Sequence, residues 1–443
     1  MRRGLPVVAV VGRPNVGKST FFNRVLGRRL AIVEDVPGVT RDRNFARAEW
    51  AGRSFYIVDT GGLDVDADEP MAAAIRRQVT AAIEEADVVV FLVDGKTGPH
   101  PLDHRVAEML RKTHVPVVLA VNKMDRWPEE LGHHDFWALG LGEPLPVSAI
   151  SGRGSGDVLD AIVAHLPETP QEVAEEEALY VAVIGRPNVG KSSFINRLLG
   201  EERLVVSAEA GTTRDAIDTP LRYHGRTLVF IDTAGLRRRA RITPGLEFYS
   251  ALRTERAIDR ADVCLLLIDS SQPLHNQDVR IAERAWKAGC GLIVVANKWD
   301  LVEKDEKTAR AYEQHVRERA PMLKWVPIIF TSALTGQRVH RTLDLVLKVA
   351  GERARRIPTH EVNEVLRSLV ERQPPPAHRG VEVKFYYATQ AEKAPPTFVI
   401  FTNYPKEIPE SYMRYLSNGF REAWGFVGTP LRFRFRGRRE KGE

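Results

Sequence analysis

The sequence predicts an α/β fold: two tandem, doubly wound domains with mostly parallel sheets, followed by a small α+β domain. An internal repeat is the first observation, because GRPNVGKS stands at 12–19 and again at 185–192. GVTRD/GTTRD and DTGGL/DTAGL keep this offset of 173 residues, whereas NKMD/NKWD are offset by 175 and SAISG/SALTG by 184. The other observations are strand–helix alternation within each copy and a change of pattern after residue 352. A domain of about 170 residues is therefore duplicated.

The elements of each copy follow from its apolar runs. In the first copy, continuous runs predict parallel strands that are covered on both faces; they are VVAVVG, FYIVDT, VVVFLVD and VVLAVNK. FARAEWAGRSFYIVD holds two runs around an Ala-Gly-Arg turn, which predicts a hairpin with one antiparallel edge strand. Amphipathic stretches lie between the other strands, and this alternation is typical of a doubly wound sheet. The longer second copy has a polar stretch, LVEKDEKTARAYEQHVRER, which predicts a solvated surface helix.

Two boundaries follow from composition. PETPQEVAEEEA (167–178) is rich in Pro and Glu and predicts an acidic linker. The predicted domains are therefore 1–166, 179–352 and 353–443. The last segment has helix, strand, strand, helix and strand patterns in that order, which indicates a three-stranded α+β domain.

Composition limits the compartment and the partners. No run approaches the ~18 apolar residues of a membrane span, and the N-terminal apolar run leads into the glycine motif as a strand would. A cytoplasmic protein without a membrane partner is expected.

The two cysteines, Cys264 and Cys290, lie in apolar surroundings and are expected to be core thiols rather than a disulfide or metal site. The net charge is +6, but residues 353–443 alone carry +7, so a polyanionic partner is expected there.

The duplicated GxxxxGKS motif predicts two phosphate sites. In each copy it follows a strand and precedes a helix, so that backbone N–H groups and the helix N-terminus converge on phosphate oxygens. Lys18 and Lys191 are expected to reach the β- and γ-phosphates, and Ser19 and Ser192 to give a hydroxyl to Mg²⁺.

The NKxD motifs predict that the base is guanine. Asp125 and Asp300 each offer a carboxylate to the N1–H and exocyclic amine of guanine, which adenine does not present in that arrangement. The neighbouring asparagines, Asn122 and Asn297, are expected to brace the loop and contact the base edge, and Lys123 and Lys298 to lay their stems along the ring. The pairs Ser148–Ala149 and Ser332–Ala333 suit a backbone N–H donor to the guanine O6.

Two further elements predict the γ-phosphate and magnesium contacts. Asp59 and Asp232 open DxxG at the ends of strands, where a carboxylate holds Mg²⁺ through water. Gly62 and Gly235 offer a backbone N–H to the γ-phosphate. Thr40 and Thr213 suit switch threonines that complete the Mg²⁺ shell only while that phosphate is present.

The five elements in this order resemble those of P-loop GTPases of the translation-factor class, and the tandem arrangement resembles the EngA/Der family of bacterial ribosome assembly. The resemblance covers essentially the whole chain. It implies a KH-like third domain, GTP hydrolysis with Mg²⁺, and action on the large ribosomal subunit with its rRNA and ribosomal proteins. The catalytic residues it implies are Lys18, Lys191, Thr40 and Thr213. The implied nucleotide-binding residues are Gly12, Arg13, Pro14, Asn15, Val16, Gly17, Lys18, Ser19, Thr20, Asp59, Thr60, Gly61, Gly62, Leu63, Asn122, Lys123, Asp125, Ser148 and Ala149 in the first copy, and Gly185, Arg186, Pro187, Asn188, Val189, Gly190, Lys191, Ser192, Ser193, Asp232, Thr233, Ala234, Gly235, Leu236, Asn297, Lys298, Asp300, Ser332 and Ala333 in the second.

One departure from the Ras pattern concerns hydrolysis. Where Ras-like proteins place a water-orienting glutamine, this chain has Leu63 and Leu236, so slow intrinsic turnover is expected. Asn15 and Asn188 resemble the P-loop asparagine that helps related GTPases hold K⁺ against the phosphates. An Asx hydrogen bond within the turn is the alternative role for these asparagines.

The copies and the tail differ in ways that leave alternatives open. DVDADEP follows the first DxxG motif and RRRARI the second, so the two switches differ in charge. The third domain lacks the GxxG loop of RNA-clamping KH modules, although Arg432, Arg434 and Arg436 could track phosphates. Besides a switch with two active sites, the alternatives are a nucleotide-binding scaffold in which only one domain turns over, or a tRNA-directed GTPase.

Overall fold

A computed structural model describes residues 5–27, 45–60, 71–126, 132–167, 178–200, 218–233, 247–303, 305, 307–377 and 381–437. The chain divides into two compact units, one of residues 1–174 with 241–256 and one of residues 175–240 with 257–443. Of the predicted linker, only its end residues Pro167 and Ala178 lie within the described ranges. The predicted domain boundaries stay predictions.

The described elements follow the predicted alternation. The strands are β1 (Val7–Val11), β2 (Phe45–Trp50), β3 (Arg53–Asp59), β4 (Val88–Asp94), β5 (Val117–Asn122), β6 (Leu145–Pro146), β7 (Ala178–Ile184), β8 (Thr219–Tyr223), β9 (Arg226–Phe230), β10 (Val263–Asp269), β11 (Gly291–Asn297), β12 (Ile328–Phe330), β13 (Phe385–Glu392), β14 (Thr397–Thr402) and β15 (Arg432–Gly437). The α-helices are α1 (Lys18–Gly27), α2 (Met71–Glu85), α3 (Pro101–Arg111), α4 (Ser155–His165), α5 (Lys191–Leu199), α6 (Glu247–Arg260), α7 (Asn276–Ala288), α8 (Thr308–Arg319), α9 (Arg341–Ala354), α10 (Thr359–Arg372) and α11 (Glu410–Trp424).

Each unit contains one six-stranded sheet with the predicted edge hairpin. The orders are β2-β3-β1-β4-β5-β6 and β12-β11-β10-β7-β9-β8. Strands β2 and β8 are antiparallel to their neighbours, and the other pairs are parallel. Both hairpin turns place two residues in the left-handed region, Ala51–Gly52 and His224–Gly225, as two-residue turns that match strand twist require. The α/β prediction is confirmed.

Side chains from both faces of each sheet enter separate cores. Along β1, Val8 and Val10 join the cluster around Phe21 and Phe55, whereas Ala9 and Val11 join the cluster around Phe91. This alternation is what strand geometry imposes when helices cover both faces. Buried side chains therefore fix the strand register, and with it the loops at the carboxyl ends.

The second unit also contains the three-stranded sheet β13-β14-β15, in which β14 pairs antiparallel with β13 and parallel with β15. Helices α10 and α11 complete the predicted helix–strand–strand–helix–strand order. Two backbone hydrogen bonds join this sheet domain to the nucleotide domain of the same unit: Leu292 N–H to Gly428 O and Gly428 N–H to Trp325 O, each 2.7 Å. Gly428 has a φ of 68°, and a Cβ there would lie 2.8 Å from the Leu292 carbonyl oxygen. A glycine is therefore required at this junction.

Two local predictions also agree with the structure. The later part of the polar stretch of the second copy, Thr308–Arg319, forms α8, in which Val316 is the buried residue. Cys264 and Cys290 are both free and buried. In the part of the chain that the structure describes, no helix combines the length and apolar character needed to cross a membrane.

Candidate guanine-nucleotide sites

Each GRPNVGKS segment forms a loop at the carboxyl end of the first strand of its sheet and leads into a helix. The first connects β1 to α1 and the second connects β7 to α5. Gly17 and Gly190 have φ values of 99° and 96°, and a Cβ on either would overlap an asparagine amide, that of Asn122 or Asn297. Only glycine satisfies both demands. The loops have the geometry that a phosphate cradle needs.

The P-loop lysines point into their own loops. Lys18 Nζ donates to the carbonyl oxygens of Gly12 (2.8 Å) and Arg13 (2.9 Å). Lys191 Nζ does the same with Gly185 (2.7 Å) and Arg186 (2.6 Å). Burial lowers the pKa of Lys18, and the nearby carboxylate of Asp59 opposes that shift. The ammonium and the strand-end carboxylate thus share one site.

Asn122 and Asn297 join the parts of each site. The Asn122 amide donates to Val16 O (2.8 Å) and its oxygen accepts from the Ala149 N–H (2.9 Å). In the second copy the Asn297 amide donates to Val189 O (2.9 Å) and accepts from the Ala333 N–H (3.0 Å). Each asparagine therefore ties the GRPNVGKS loop to the loop that carries the Ser-Ala pair.

These bonds also affect how Ala149 and Ala333 can serve the base. The sequence predicts that a backbone N–H of each Ser-Ala pair bonds the guanine O6, but the alanine N–H of each pair already bonds the asparagine oxygen. A contact with O6 would therefore share an N–H that is in use.

The NKxD lysines are held by carboxylates that the sequence analysis did not single out. Lys123 Nζ lies 2.6 Å from Asp94 Oδ2, and Lys298 Nζ lies 2.7 Å from Asp269 Oδ2. Burial raises the pKa of Asp269, but hydrogen bonds from Lys298 and Ser271 more than offset this and hold it below the ordinary value. The available signal was an acidic residue ending the same apolar strand in both copies, VVVFLVD and VCLLLID.

The two NKxD aspartates have different surroundings. Asp125 accepts from Lys96 Nζ at 2.7 Å and from Ser148 Oγ at 2.8 Å, and these two bonds lower its pKa. Asp300 lies in the 3₁₀ helix Trp299–Leu301. The residue of the second copy that corresponds to Lys96 is Ser271, whose hydroxyl instead donates to Asp269 at 2.6 Å. The first site therefore holds a lysine beside its NKxD carboxylate, whereas the second has at that position a serine whose hydroxyl bonds Asp269.

The strand-end aspartates lie at the predicted edge of each sheet. Asp59 is buried at the end of β3, and Thr60 beside it donates to Val10 O at 2.8 Å. Asp232 has a φ of 53°, and its N–H donates to Asp218 Oδ1 at 3.1 Å. Thr233 is buried, with its hydroxyl 2.6 Å from that of Thr219.

Several predicted residues lie outside the described ranges. They are Thr40, Gly61, Gly62, Leu63, Thr213, Ala234, Gly235 and Leu236, together with both charged switch segments. The remaining predicted residues lie around the carboxyl ends of the two sheets: Pro14, Asn15, Ser19 and Thr20 in the first P-loop, Pro187, Asn188, Ser192 and Ser193 in the second, and Ser332 in the last loop.

A doubly wound sheet with a P-loop and an NKxD loop at the same edge defines the GTP-binding P-loop proteins, and this chain has two such units. A family model described as "50S ribosome-binding GTPase" matches residues 7–123 and 180–298. A second model, "KH-domain-like of EngA bacterial GTPase enzymes, C-terminal", matches residues 356–436.

Curated relatives match over nearly the whole chain. GTPase Der of Gemmatimonas aurantiaca is 59% identical over 429 residues, covering 97% of this chain and 98% of that protein. GTPase Der of Caldanaerobacter subterraneus is 51% identical, with 96% and 97% covered. Among solved structures, the FeoB G-domain of Methanococcus jannaschii is 27% identical over 37% of this chain and 98% of its own, with a TM-score of 0.28. The chain belongs to the GTPase Der family, and it is a GTPase.

Replacing Asn297 with alanine should disrupt the second site. The change leaves Val189 O and the Ala333 N–H buried without their partner, at about 1–3 kcal/mol for each group. We expect a lower melting temperature and weaker GDP binding, measured by calorimetry. Asn276→Ala is the control, because that exposed side chain only accepts from Arg319 at 3.2 Å. Equal effects of the two substitutions would contradict the bracing role.

Proposed function

We propose that this GTPase is a cytoplasmic switch with two guanine-nucleotide sites, and that it acts in assembly of the large (50S) ribosomal subunit. The observation that carries the proposal is that both copies contain the same set of contacts. In each, the P-loop lysine bonds its own loop, an asparagine bonds the P-loop backbone, and the NKxD lysine pairs with an aspartate. The ribosomal role is supported by the description of the family model that matches both nucleotide domains.

In this proposal Asp125 and Asp300 select guanine. A carboxylate accepts from two neighbouring donors on the guanine edge, and its acceptor strength requires the ionised form. The bonds from Lys96 and Ser148 keep the pKa of Asp125 low, so it is ionised throughout the physiological pH range. Lys123 and Lys298, held through their amines by Asp94 and Asp269, would present their aliphatic stems to the ring.

The residues at each P-loop also fit a magnesium ion. Ser19 provides a hydroxyl at the start of α1, and buried Asp59 provides a carboxylate at the end of β3. Oxygen donors of this kind, completed by phosphate oxygens and water, are what Mg²⁺ prefers. Magnesium would neutralise charge on the β- and γ-phosphates, while Lys18 or Lys191 exchanges its loop carbonyls for phosphate oxygens. Thr40 and Thr213 would sense the γ-phosphate.

Potassium is proposed as the charge that replaces an arginine finger. Asn15 and Asn188 occupy the left-handed region, with φ values of 64° and 65°, at the same P-loop position in both copies. An amide oxygen there is a suitable ligand for K⁺ beside the phosphates. Leu63 and Leu236 stand where a glutamine would orient water. Hydrolysis in this proposal therefore depends more on positive charge beside the phosphates than on a side chain that orients water.

The KH-like domain is proposed as a contact with rRNA. Its three strand arginines differ: Arg432 donates to Lys287 O at 3.0 Å, Arg434 pairs with Glu392 at 2.7 Å, and Arg436 is exposed. Arg432 therefore serves the packing within its unit. Arg434 and Arg436 are the described candidates for phosphate contacts.

Two guanine nucleotides should bind per chain. Asp125→Asn and Asp300→Asn should each turn one site from guanine towards xanthine, because the extra carbonyl of xanthine suits an amide donor. Stoichiometry is measured by calorimetry on protein that has first been emptied of nucleotide. One guanine nucleotide per wild-type chain would refute the two-site proposal.

GTP turnover should depend on K⁺ at constant ionic strength. Replacing K⁺ with Na⁺ should lower the rate of phosphate release, and the variant with both Asn15→Ala and Asn188→Ala should lose the difference between the salts. Identical wild-type rates in the two salts would remove the proposed role of these asparagines.

Binding to large ribosomal subunits should depend on salt through the KH-like domain. Each phosphate contact that is lost should flatten the slope of log affinity against log salt by roughly 0.7–0.9. Arg434→Ala with Arg436→Ala should therefore flatten the slope in cosedimentation without changing GTP affinity. Arg414→Ala is the control, since this exposed arginine pairs with Glu410 one helical turn away. An unchanged slope in the double variant would contradict this assignment and would indicate that the GTPase domains make the salt-dependent contact.

A further inference from the structure

The second residue of each P-loop motif is an arginine whose side chain reaches a buried acid on a different helix. Arg186 Nε lies 3.0 and 2.9 Å from the two carboxylate oxygens of Asp278, in the first turn of α7. Asp278 is 1% exposed. The carboxylate also accepts from the His275 N–H at 3.3 Å, as part of the helix cap. A buried charge pair of this kind fixes both partners, because separating them leaves an uncompensated charge.

This pair holds the P-loop at a point that matters for phosphate. The carbonyl oxygen of Arg186 is one of the two that Lys191 contacts. Three residues further on, Val189 O is held by Asn297 at 2.9 Å. The segment between these anchors consists of Pro187 and Asn188. The loop is therefore fastened on both sides of its most exposed turn.

The first copy has the same two residues but a more open arrangement. Arg13 Nε lies 3.4 Å from Asp103 Oδ1, and among the residues that the structure describes neither of these buried atoms has a hydrogen-bond partner. The Arg13 guanidinium instead donates to Thr97 Oγ1 at 2.5 Å. The second copy has Gln272 at the position that corresponds to Thr97. The bond from Arg13 to Thr97 thus accompanies a longer arginine–aspartate distance in the first copy.

We propose that Asp278 is a positioning residue of the second nucleotide site, which presets the P-loop through Arg186, and that the weaker Arg13–Asp103 pair leaves the first P-loop less well preset. Asp278 does not touch nucleotide in this proposal. It lowers the cost of ordering the loop when phosphate binds, and preorganisation of this kind increases affinity without any new contact. The inference rests on the proposed function, in that each P-loop holds a nucleotide.

The consequence for kinetics is specific. A preorganised loop stabilises bound substrate and transition state equally. Loss of this preorganisation should therefore raise KM and leave kcat unchanged. A purely structural role would reduce the folded fraction and therefore lower the apparent kcat at constant KM. The two roles are thus separable in one assay.

The experiment uses the full chain with one site silenced for guanine. Asp125→Asn leaves the second site as the guanine site, and Asp300→Asn leaves the first. In the Asp125→Asn background, Asp278→Asn should raise KM for GTP and Kd for GDP by about tenfold, or about 1.4 kcal/mol, with kcat retained. In the Asp300→Asn background, Asp103→Asn should change these constants by less than about threefold, since the 3.4 Å contact of that pair holds its loop less firmly.

Two further variants sharpen the test. Thr97→Ala should let Arg13 close onto Asp103 and tighten GDP binding at the first site. Asp259→Asn is a control: it breaks a partly exposed ion pair with Arg284, in which the two side chains are 3.0 Å apart, and it should leave KM unchanged. Arg186→Lys keeps the charge but not the guanidinium geometry, so its KM should fall between wild type and Asp278→Asn.

The outcomes separate the inference from the function on which it rests. If the silenced backgrounds still bind two guanine nucleotides, the proposed base recognition fails. If the backgrounds behave as expected but Asp278→Asn lowers kcat at constant KM, or affects binding no more than Asp103→Asn, the positioning role is wrong.

Discussion

The architecture of each nucleotide site depends on one hydrogen-bonded asparagine at the end of an interior strand, β5 or β11. Asn122 and Asn297 each join the phosphate loop to the loop that carries the Ser-Ala pair. Both bonds involve buried backbone groups, which are costly to leave without a partner. The amide also occupies the space where a side chain at Gly17 or Gly190 would lie. One interaction thus explains residues in two motifs that are more than a hundred positions apart.

Buried carboxylates hold several side chains of the sites in place through ion pairs. Asp94 and Asp269 hold the NKxD lysines, and Asp278 holds a P-loop arginine. A cation lies beside each of these buried acids, and removing it would leave an uncompensated charge. Burial raises the pKa of Asp278 while Arg186 opposes that shift, so the ionised form depends on the pair staying closed. The charges therefore fix the loops more firmly than exposed ion pairs could.

The KH-like domain shows how a small sheet can be tied to a larger domain. Its core is aromatic, with Phe398, Phe420 and Phe426 in edge-to-face contacts. Arg421 is buried beneath it and donates to the carbonyl oxygens of Phe426 (2.8 Å) and Thr429 (2.6 Å), and burial lowers its pKa to about 10. These bonds shape the turn that contacts Leu292 through Gly428. The basic strand β15 follows directly, so its arginines are presented from an ordered base.

The sequence by itself determined the duplication, the two sheets, their edge hairpins and the guanine-nucleotide motifs. Such features depend on local periodicity and on short motifs whose spacing is fixed along the chain. Tertiary structure decided what lies behind the motifs: that Asp94 and Asp269 meet lysines 29 positions away, that Ala149 and Ala333 bond asparagines, and that Arg432 packs internally. It also decided that Arg186 closes onto Asp278 whereas Arg13 is drawn to Thr97. Pairing between elements distant in the chain depends on sheet order and on small differences in distance, such as 2.9 against 3.4 Å for the two arginine–aspartate pairs, and neither is encoded in any local pattern.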